Sequence, residues 1–207
     1  MEYITVLGHS FATKAFFLLG IERFLYGYWF ILPNRFKAAV RNGTFGTRLK
    51  AEPLYWKVAM RLGMYIKVCQ YSVILFDLLV QCQLTNPLLS TNTKISATLG
   101  LACIAVGQGL NYSVFKALGA IGVYYGYEFG YTVPRVSSFP YNTRLSDPQY
   151  WGVVICIWGI YLTVGASSFV VPWLETFWYV TSMKVLESDR GRKLAQFFGI
   201  KDVSSRE

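Results

Sequence analysis

The chain has one histidine, His9, and four cysteines, and no two cysteines form a CxxC pair. A structural zinc centre needs about four closely spaced ligands, which His9 with Cys69, Cys82, Cys103 and Cys156 cannot supply. No metal site is expected, and a mechanism needing a histidine base has no secure source for one; His9 reads as a terminal or interfacial residue. The cysteines lie within or at the ends of apolar segments and read as buried small side chains. Charge is scarce too: 15% of residues are charged and 54% hydrophobic, where a soluble domain averages about 25% charged. That is too little charge for a water-facing surface. The N-terminus has no compact basic region, no clean apolar core after it and no small-residue cleavage site, so a removable signal peptide is not expected. No internal repeat or low-complexity segment stands out.

Long apolar runs fill the space that charge leaves. Residues 150–171 hold no charged side chain and would make about 33 Å of helix at about 1.5 Å per residue, enough for a bilayer core. Residues 95–112 are equally free of charge and extend as helix past Lys116. In 54–83, Lys57, Arg61 and Lys67 can snorkel to one interface, leaving 68–80 deep with Asp77 facing the bundle. Residues 12–32 carry Glu22 and Arg23 at their middle, so they either cross or lie in the interface. Residues 173–186 are short and pair with the preceding helix across Val171–Pro172 as a hairpin. The expected fold is all-α: a polytopic membrane bundle of four to five helices ending in a C-terminal helical hairpin.

Charge then orients the bundle. Fourteen of the 20 Lys and Arg lie in 33–53, 113–149 and 184–207, whereas 84–94 carries Lys94 alone. The positive-inside rule places the basic segments in the cytosol. The net charge of +9 suits anionic headgroups better than nucleic acid, because the basic residues flank spans and form no separate domain. Residues 33–53, opened by Pro33–Asn34, read as a wet, turn-rich linker. In the polar tail, 191–198 reads as a short helix whose Leu194, Phe197 and Phe198 share one face, able to lie on the membrane or cap a site.

Polar sequence at a membrane surface is costly and tends to mark a site. FPYNTRLSDPQYWG (139–152) is such a stretch, with Asn142, Arg144, Asp147 and Gln149 offering polar contacts, Pro148 fixing a turn, and Tyr150 and Gly152 opening the next helix. Upstream lies GQGLNYSVFKALGAIGVYYGYEFG (107–130). Its glycines either let helices pack closely or let a ligand press against backbone. Tyr124, Tyr125, Tyr127 and Tyr131 either anchor at the interface or cage a cation. Glu187, where the second apolar run ends, is either an ordinary helix-end charge or a partner for a cationic or hydroxyl-bearing cofactor.

Together, GQGLN, GVYYGYEFG, FPYN, DPQYWG and the closing LES resemble the phospholipid N-methyltransferases, in particular the plant-type phosphatidyl-N-methylethanolamine N-methyltransferases with their GQ-LN, G-YYG-RFG, FPF and DPQYVG blocks. The likeness covers roughly 105–188. The isoprenylcysteine carboxyl methyltransferases share the Pro–x–Tyr–x–Gly idea and the acidic end. The resemblance divides the chain into N-terminal membrane helices (1–94) and a methyltransferase region with a cytosolic tail (95–207). It implies methyl transfer from S-adenosylmethionine to the amine of phosphatidylethanolamine or its mono- and dimethylated forms, giving phosphatidylcholine. It further implies an endoplasmic reticulum membrane with the site facing the cytosol, and a lipid entering sideways. Carried over residue by residue, the GxG falls on Gly107–Gln108–Gly109, the Pro–x–Tyr–x–Gly element on Pro148, Tyr150 and Gly152, and the paired acids on Leu186 and Glu187. One acid is thus missing. Gly126 and Ser188 complete the expected cofactor contacts, and Tyr124, Tyr125 and Glu187 are the expected catalytic residues. An isoprenylcysteine methyltransferase, a sterol reductase on a related bundle and a noncatalytic membrane adaptor stay open as alternatives; oligomeric state is not legible.

Overall fold

A computed structural model describes the backbone of residues 2–84 and 91–202 and the side chains of 11–81 and 94–202. The expectations on His9, on Cys82 and on most of the 84–94 connection lie outside those residues. Helix α1 (Glu2–Ile31) is followed by α2 (Pro33–Arg41) and the single turn α3 (Thr47–Lys50), then by the long α4 (Tyr55–Leu84) and α5 (Thr91–Val123). After an irregular segment come α6 (Pro148–Val164), α7 (Val170–Thr181), a π turn over Ser182–Leu186, and α8 (Asp189–Phe197).

The polarity of the bundle is that of a protein dissolved in lipid. Met64, Val68, Leu75 and Leu79 of α4 and Ile95, Leu99 and Val106 of α5 are exposed, while Glu22, Arg23, Gln70 and Glu175 are buried. Water would favour the reverse. Among the described residues, Tyr55–Gln81 and Lys94–Val123 are long and apolar enough to cross a membrane, and a third crossing arises if Phe11–Ile31 and Pro33–Arg41, bent by 100°, form one span. A helical membrane bundle is the architecture. Asp77 faces inward as expected and accepts from Tyr161 at 2.7 Å. Burial of the cysteines holds for Cys156 only in part of the set: Cys69 is exposed and Cys103 half-buried, since α4 turns Cys69 outward with Val68.

Three local expectations need correction. The hairpin turn falls at Gly165–Phe169, not at Val171–Pro172. Gly165 takes the left-handed conformation (φ 65°) that closes α6, with its N–H on the Leu162 carbonyl. Pro172 sits in the first turn of α7, where a missing N–H has no intrahelical partner to lose. The 33–53 segment is also more ordered than a turn-rich linker. Pro33 opens α2 rather than a turn, and the Asp202 carboxylate accepts from Asn34 N at 3.1 Å and Arg35 N at 3.0 Å, doing the work of the missing side-chain cap. Phe36 and Val40 of α2 are buried against Trp29, Val58 and Phe129. The tail helix begins at Asp189, two residues before the expected start.

Helices α5 and α6 pack together along their length through two glycine pairs. A Cβ added at Gly107 would strike the Gly152 carbonyl and Cys156, and one at Gly159 would meet the Gly100 carbonyl at 2.7 Å. Glycine allows the two backbones to touch there. At Gly119 (φ 65°) α5 breaks its regular course, and the chain beyond it turns over the interior. The same end of the bundle gathers three segments: Tyr131 Oη accepts from Tyr55 N at 3.2 Å, Arg192 pairs with Glu128 at 2.9 Å, and Asp202 holds α2.

Candidate functional site

That end encloses a cavity of about 300 Å³. Its walls come from α1 (Arg23, Tyr26, Phe30), α4 (Lys67), the end of α5 and the segment after it (Tyr124, Tyr125, Tyr127, Glu128), the start of α6 (Pro148, Tyr150) and α7 onward (Tyr179, Glu187). Residues from both halves of the sequence are therefore needed to form it.

Glu187 is the chemical focus. Its Oε1 accepts from Tyr150 Oη at 2.7 Å and its Oε2 accepts from the same hydroxyl at 2.6 Å. Tyr125 Oη donates to Oε2, and Ser182 Oγ donates to Oε1. Hydroxyls from three elements thus fix one carboxylate. The π turn makes this possible: the Glu187 N–H bonds the Ser182 carbonyl at 2.8 Å, five residues back, which swings the carboxylate over Ser182. Inserted turns of this kind often mark functional sites.

Tyr125 itself holds a left-handed backbone, φ 58°. Such a conformation costs a bulky residue about 1–3 kcal/mol and persists where its surroundings enforce it. Here the ring is wedged edge-on against Tyr26 and Trp29, with centroids 5.8 and 5.9 Å apart. Burial, and then the Glu187 carboxylate, push the Tyr125 hydroxyl well above its ordinary range, so it is a donor rather than a phenolate. Asp147 also has positive φ, 52°, and starts α6 with its carbonyl accepting from Tyr150 N at 2.9 Å. Partial desolvation at the cavity wall, then Glu187, raise its carboxyl above the ordinary range, partly offset by Lys184, although the residue as a whole is exposed. Glu128 is likewise raised by burial, against the pull of Arg192.

Beneath this acidic rim lies a second cluster. Lys67 Nζ contacts Glu22 Oε1 at 2.9 Å, Gln70 Oε1 at 2.8 Å and Tyr179 Oη at 2.8 Å. Arg23 pairs with Glu22 at 2.6 Å, and its guanidinium lies 4.0 Å over the Tyr179 ring and 5.1 Å from the Tyr150 ring. The Tyr150 ring therefore stands between the buried cation and Glu187.

The expected site residues part company here. Tyr124, Tyr125, Pro148, Tyr150 and Glu187 come together on the cavity wall. Gly107 and Gly152 face each other at the α5–α6 crossing, away from it. Gln108 and Gly109 are exposed, with open space around Gly109. Gly126 packs on Ile121 in the turn between Tyr125 and Tyr127. Ser188 lies just past Glu187, with its hydroxyl on the Lys184 and Val185 carbonyls. Arg23, Lys67, Tyr179 and Ser182 were not singled out as site residues from sequence. Charged side chains inside apolar runs were the available signal for the first two; for Ser182 there was none, because no propensity announces the π turn. Among the described residues no cluster of ligands could hold a metal ion.

Comparison with known proteins completes the description. Residues 95–198 match the family model for phospholipid methyltransferases. The chain is 34% identical over 149 residues to the phosphatidylethanolamine N-methyltransferase of Homo sapiens, a match covering 62% of this chain and 71% of that protein. It is 43% identical over 54 residues to the phosphatidyl-N-methylethanolamine N-methyltransferase of Arabidopsis thaliana, covering 26% of this chain and 32% of that protein. The match thus spans only about a third of the plant relative. No solved structure matches.

Proposed function

Since this chain belongs to the phospholipid methyltransferase family, we propose that it transfers methyl groups from S-adenosylmethionine to the amine of phosphatidylethanolamine or its mono- and dimethylated forms, towards phosphatidylcholine. The observation that carries this reading is the Glu187 carboxylate, held by Tyr125, Tyr150 and Ser182 in a tyrosine-walled cavity. Both reactants bring positive charge, a sulfonium and an amine, and both suit aromatic faces beside carboxylates. When bound, S-adenosylmethionine supplies an electrophilic methyl group on sulfur.

The protein's own part is positioning and water exclusion. Tyr124 and Tyr125 wall the space above Glu187, which favours a desolvated approach of amine to methyl. The hydroxyls on Glu187 fix its direction, so its charge orients the cationic group without side-chain rearrangement. The amine must shed a proton, and we assign its acceptance to Asp147. It lies on the cavity wall, and its raised carboxyl is a better proton acceptor than an ordinary aspartate. The excess of Lys and Arg in 33–53, 113–149 and 184–207 supports a cytosolic site, and we propose an endoplasmic reticulum membrane for it.

The test is product analysis. Purified protein in vesicles, given methyl-labelled S-adenosylmethionine and separately un-, mono- and dimethylated phosphatidylethanolamine, is expected to label at least one lipid amine. Label in a prenylcysteine only, or in nothing, would overturn the proposal.

A further inference from the structure

The cluster beneath the acidic rim holds buried polar atoms of both signs without hydrogen-bond partners among the described residues, Nε and Nη1 of Arg23 and Oε2 of Glu175. Arg23 and Lys67 meet the carboxylate of Glu22 directly, while Glu175 stands one residue further off, accepting from Gln70 at 2.6 Å through Oε1. Tyr179 Oη accepts from Lys67 at 2.8 Å and from Arg23 at 3.4 Å, and among the described residues none takes the proton of its own hydroxyl. Unpaired buried donors are costly, and the two cations contact only one carboxylate directly among the described residues, which leaves Arg23 and Lys67 with hydrogen-bonding capacity towards an anion. Such donors suit an oxyanion.

The cluster also faces a usable space. Arg23, Lys67 and Tyr179 all line the cavity, and the Lys67 side chain keeps 25% of its surface exposed. Glu187, Asp147 and Glu128 line the same cavity, with the Tyr150 ring between Arg23 and Glu187. The cavity is therefore bipolar, with its cationic end supplied by α1 and α4, outside the matched residues 95–198. Gly63 of α4 lies under Tyr26 and Tyr124, where an added Cβ would meet them at 3.1 and 3.4 Å, so the α4 backbone approaches the cavity closely.

We propose that Lys67, Arg23 and Tyr179 form an anion subsite that takes the phosphodiester of the lipid headgroup, leaving its amine directed at Glu187. This rests on the phospholipid reading above. A zwitterionic headgroup matches both ends of the cavity at once, whereas a lone cation or a lone anion matches one. The N-terminal half thereby selects for a phosphate-bearing amine over other amphiphilic amines.

Equilibrium binding to the full-length protein in nanodiscs, read by intrinsic tryptophan fluorescence, tests this. Three probes are used: phosphatidyl-N-methylethanolamine, a phosphate-free diacylglycerol ether bearing the same methylaminoethyl group, and S-adenosylhomocysteine. The wild type is expected to favour the phosphate lipid by about tenfold or more, the scale of one charge-assisted hydrogen bond. Lys67→Met should abolish that preference with S-adenosylhomocysteine affinity unchanged, and Lys67→Arg should keep most of it. Tyr179→Phe, which keeps the ring and loses only the hydroxyl, should lower the preference if Lys67→Met does not fold. Equal weakening of both lipids overturns the subsite, as does absence of any preference in the wild type. A fall in S-adenosylhomocysteine affinity with lipid preference intact also overturns it, by assigning the cluster to the donor's carboxylate. The readout is binding, so a protein that prefers the phosphate lipid yet transfers no methyl group would contradict the methyl-transfer reading and leave the subsite standing.

Discussion

Glu187 carries its negative charge in a fixed direction because Tyr125, Tyr150 and Ser182 each donate to it. Asp147 shares the cavity, and in the proposed mechanism it takes the amine's proton. Partial desolvation and the neighbouring Glu187 raise its carboxyl, and only the ionised form can accept the amine's proton. Activity should therefore fall as pH drops through that raised value, and Asp147→Asn should remove this limb of the profile while lowering turnover by about 10²-fold, the usual scale of a general base. The limb due to the substrate amine remains in both proteins, which separates the two. Asn tolerates the left-handed backbone at 147, so the variant tests chemistry rather than folding. A pH profile for Asp147→Asn that superimposes on the wild type would remove Asp147 from the proton's path. At this scale Tyr125, Tyr150 and Glu187 were legible because polar and aromatic side chains stood where a membrane loop would be minimal. Arg23 and Lys67 were visible only as interruptions of apolar runs, since sequence spacing cannot tell a snorkelling cation from one folded inward against Glu22.

Helices α5 and α6 show how one glycine signal holds two meanings. Gly107 and Gly109 are two residues apart, so on a helix they point to different sides; one packs against Gly152, and the other meets nothing within 4 Å. Gly107→Ala is expected to push α5 from α6 and lower the thermal midpoint markedly, at a cost of about 1–3 kcal/mol for overpacking. Gly109→Ala should leave both the midpoint and S-adenosylhomocysteine affinity near wild type. Loss of that affinity in a stably folded Gly109→Ala would return the GxG segment to the cofactor site. Helices α4 and α5 were readable from apolar length, whereas 150–171 is not one helix, since α6 stops at Val164 after 17 residues. Helix ends were less legible: Gly165 rather than Val171–Pro172 makes the turn, and α2 forms because Asp202, far away in sequence, accepts from its first N–H groups.

For the molecule as a whole, apolar side chains face out and ionic ones face in, and the polar interior opens at the end where the basic segments gather. The N-terminal helices bring cations and the C-terminal region brings carboxylates, so the cavity exists only when both are assembled. The family model covers 95–198 and the match to the human relative covers 62% of the chain, but neither says how the N-terminal helices contribute to the cavity. The most direct test of the central claim is methyl transfer to phosphatidyl-N-methylethanolamine in vesicles from labelled S-adenosylmethionine, comparing wild type with Glu187→Gln at matched folded concentration. Labelled lipid from the wild type and at least about tenfold less from the variant is expected, since a charge-assisted hydrogen-bond cage is worth about 1.5–3 kcal/mol per bond. Equal transfer by the two proteins, or no labelled lipid from the wild type, would contradict it.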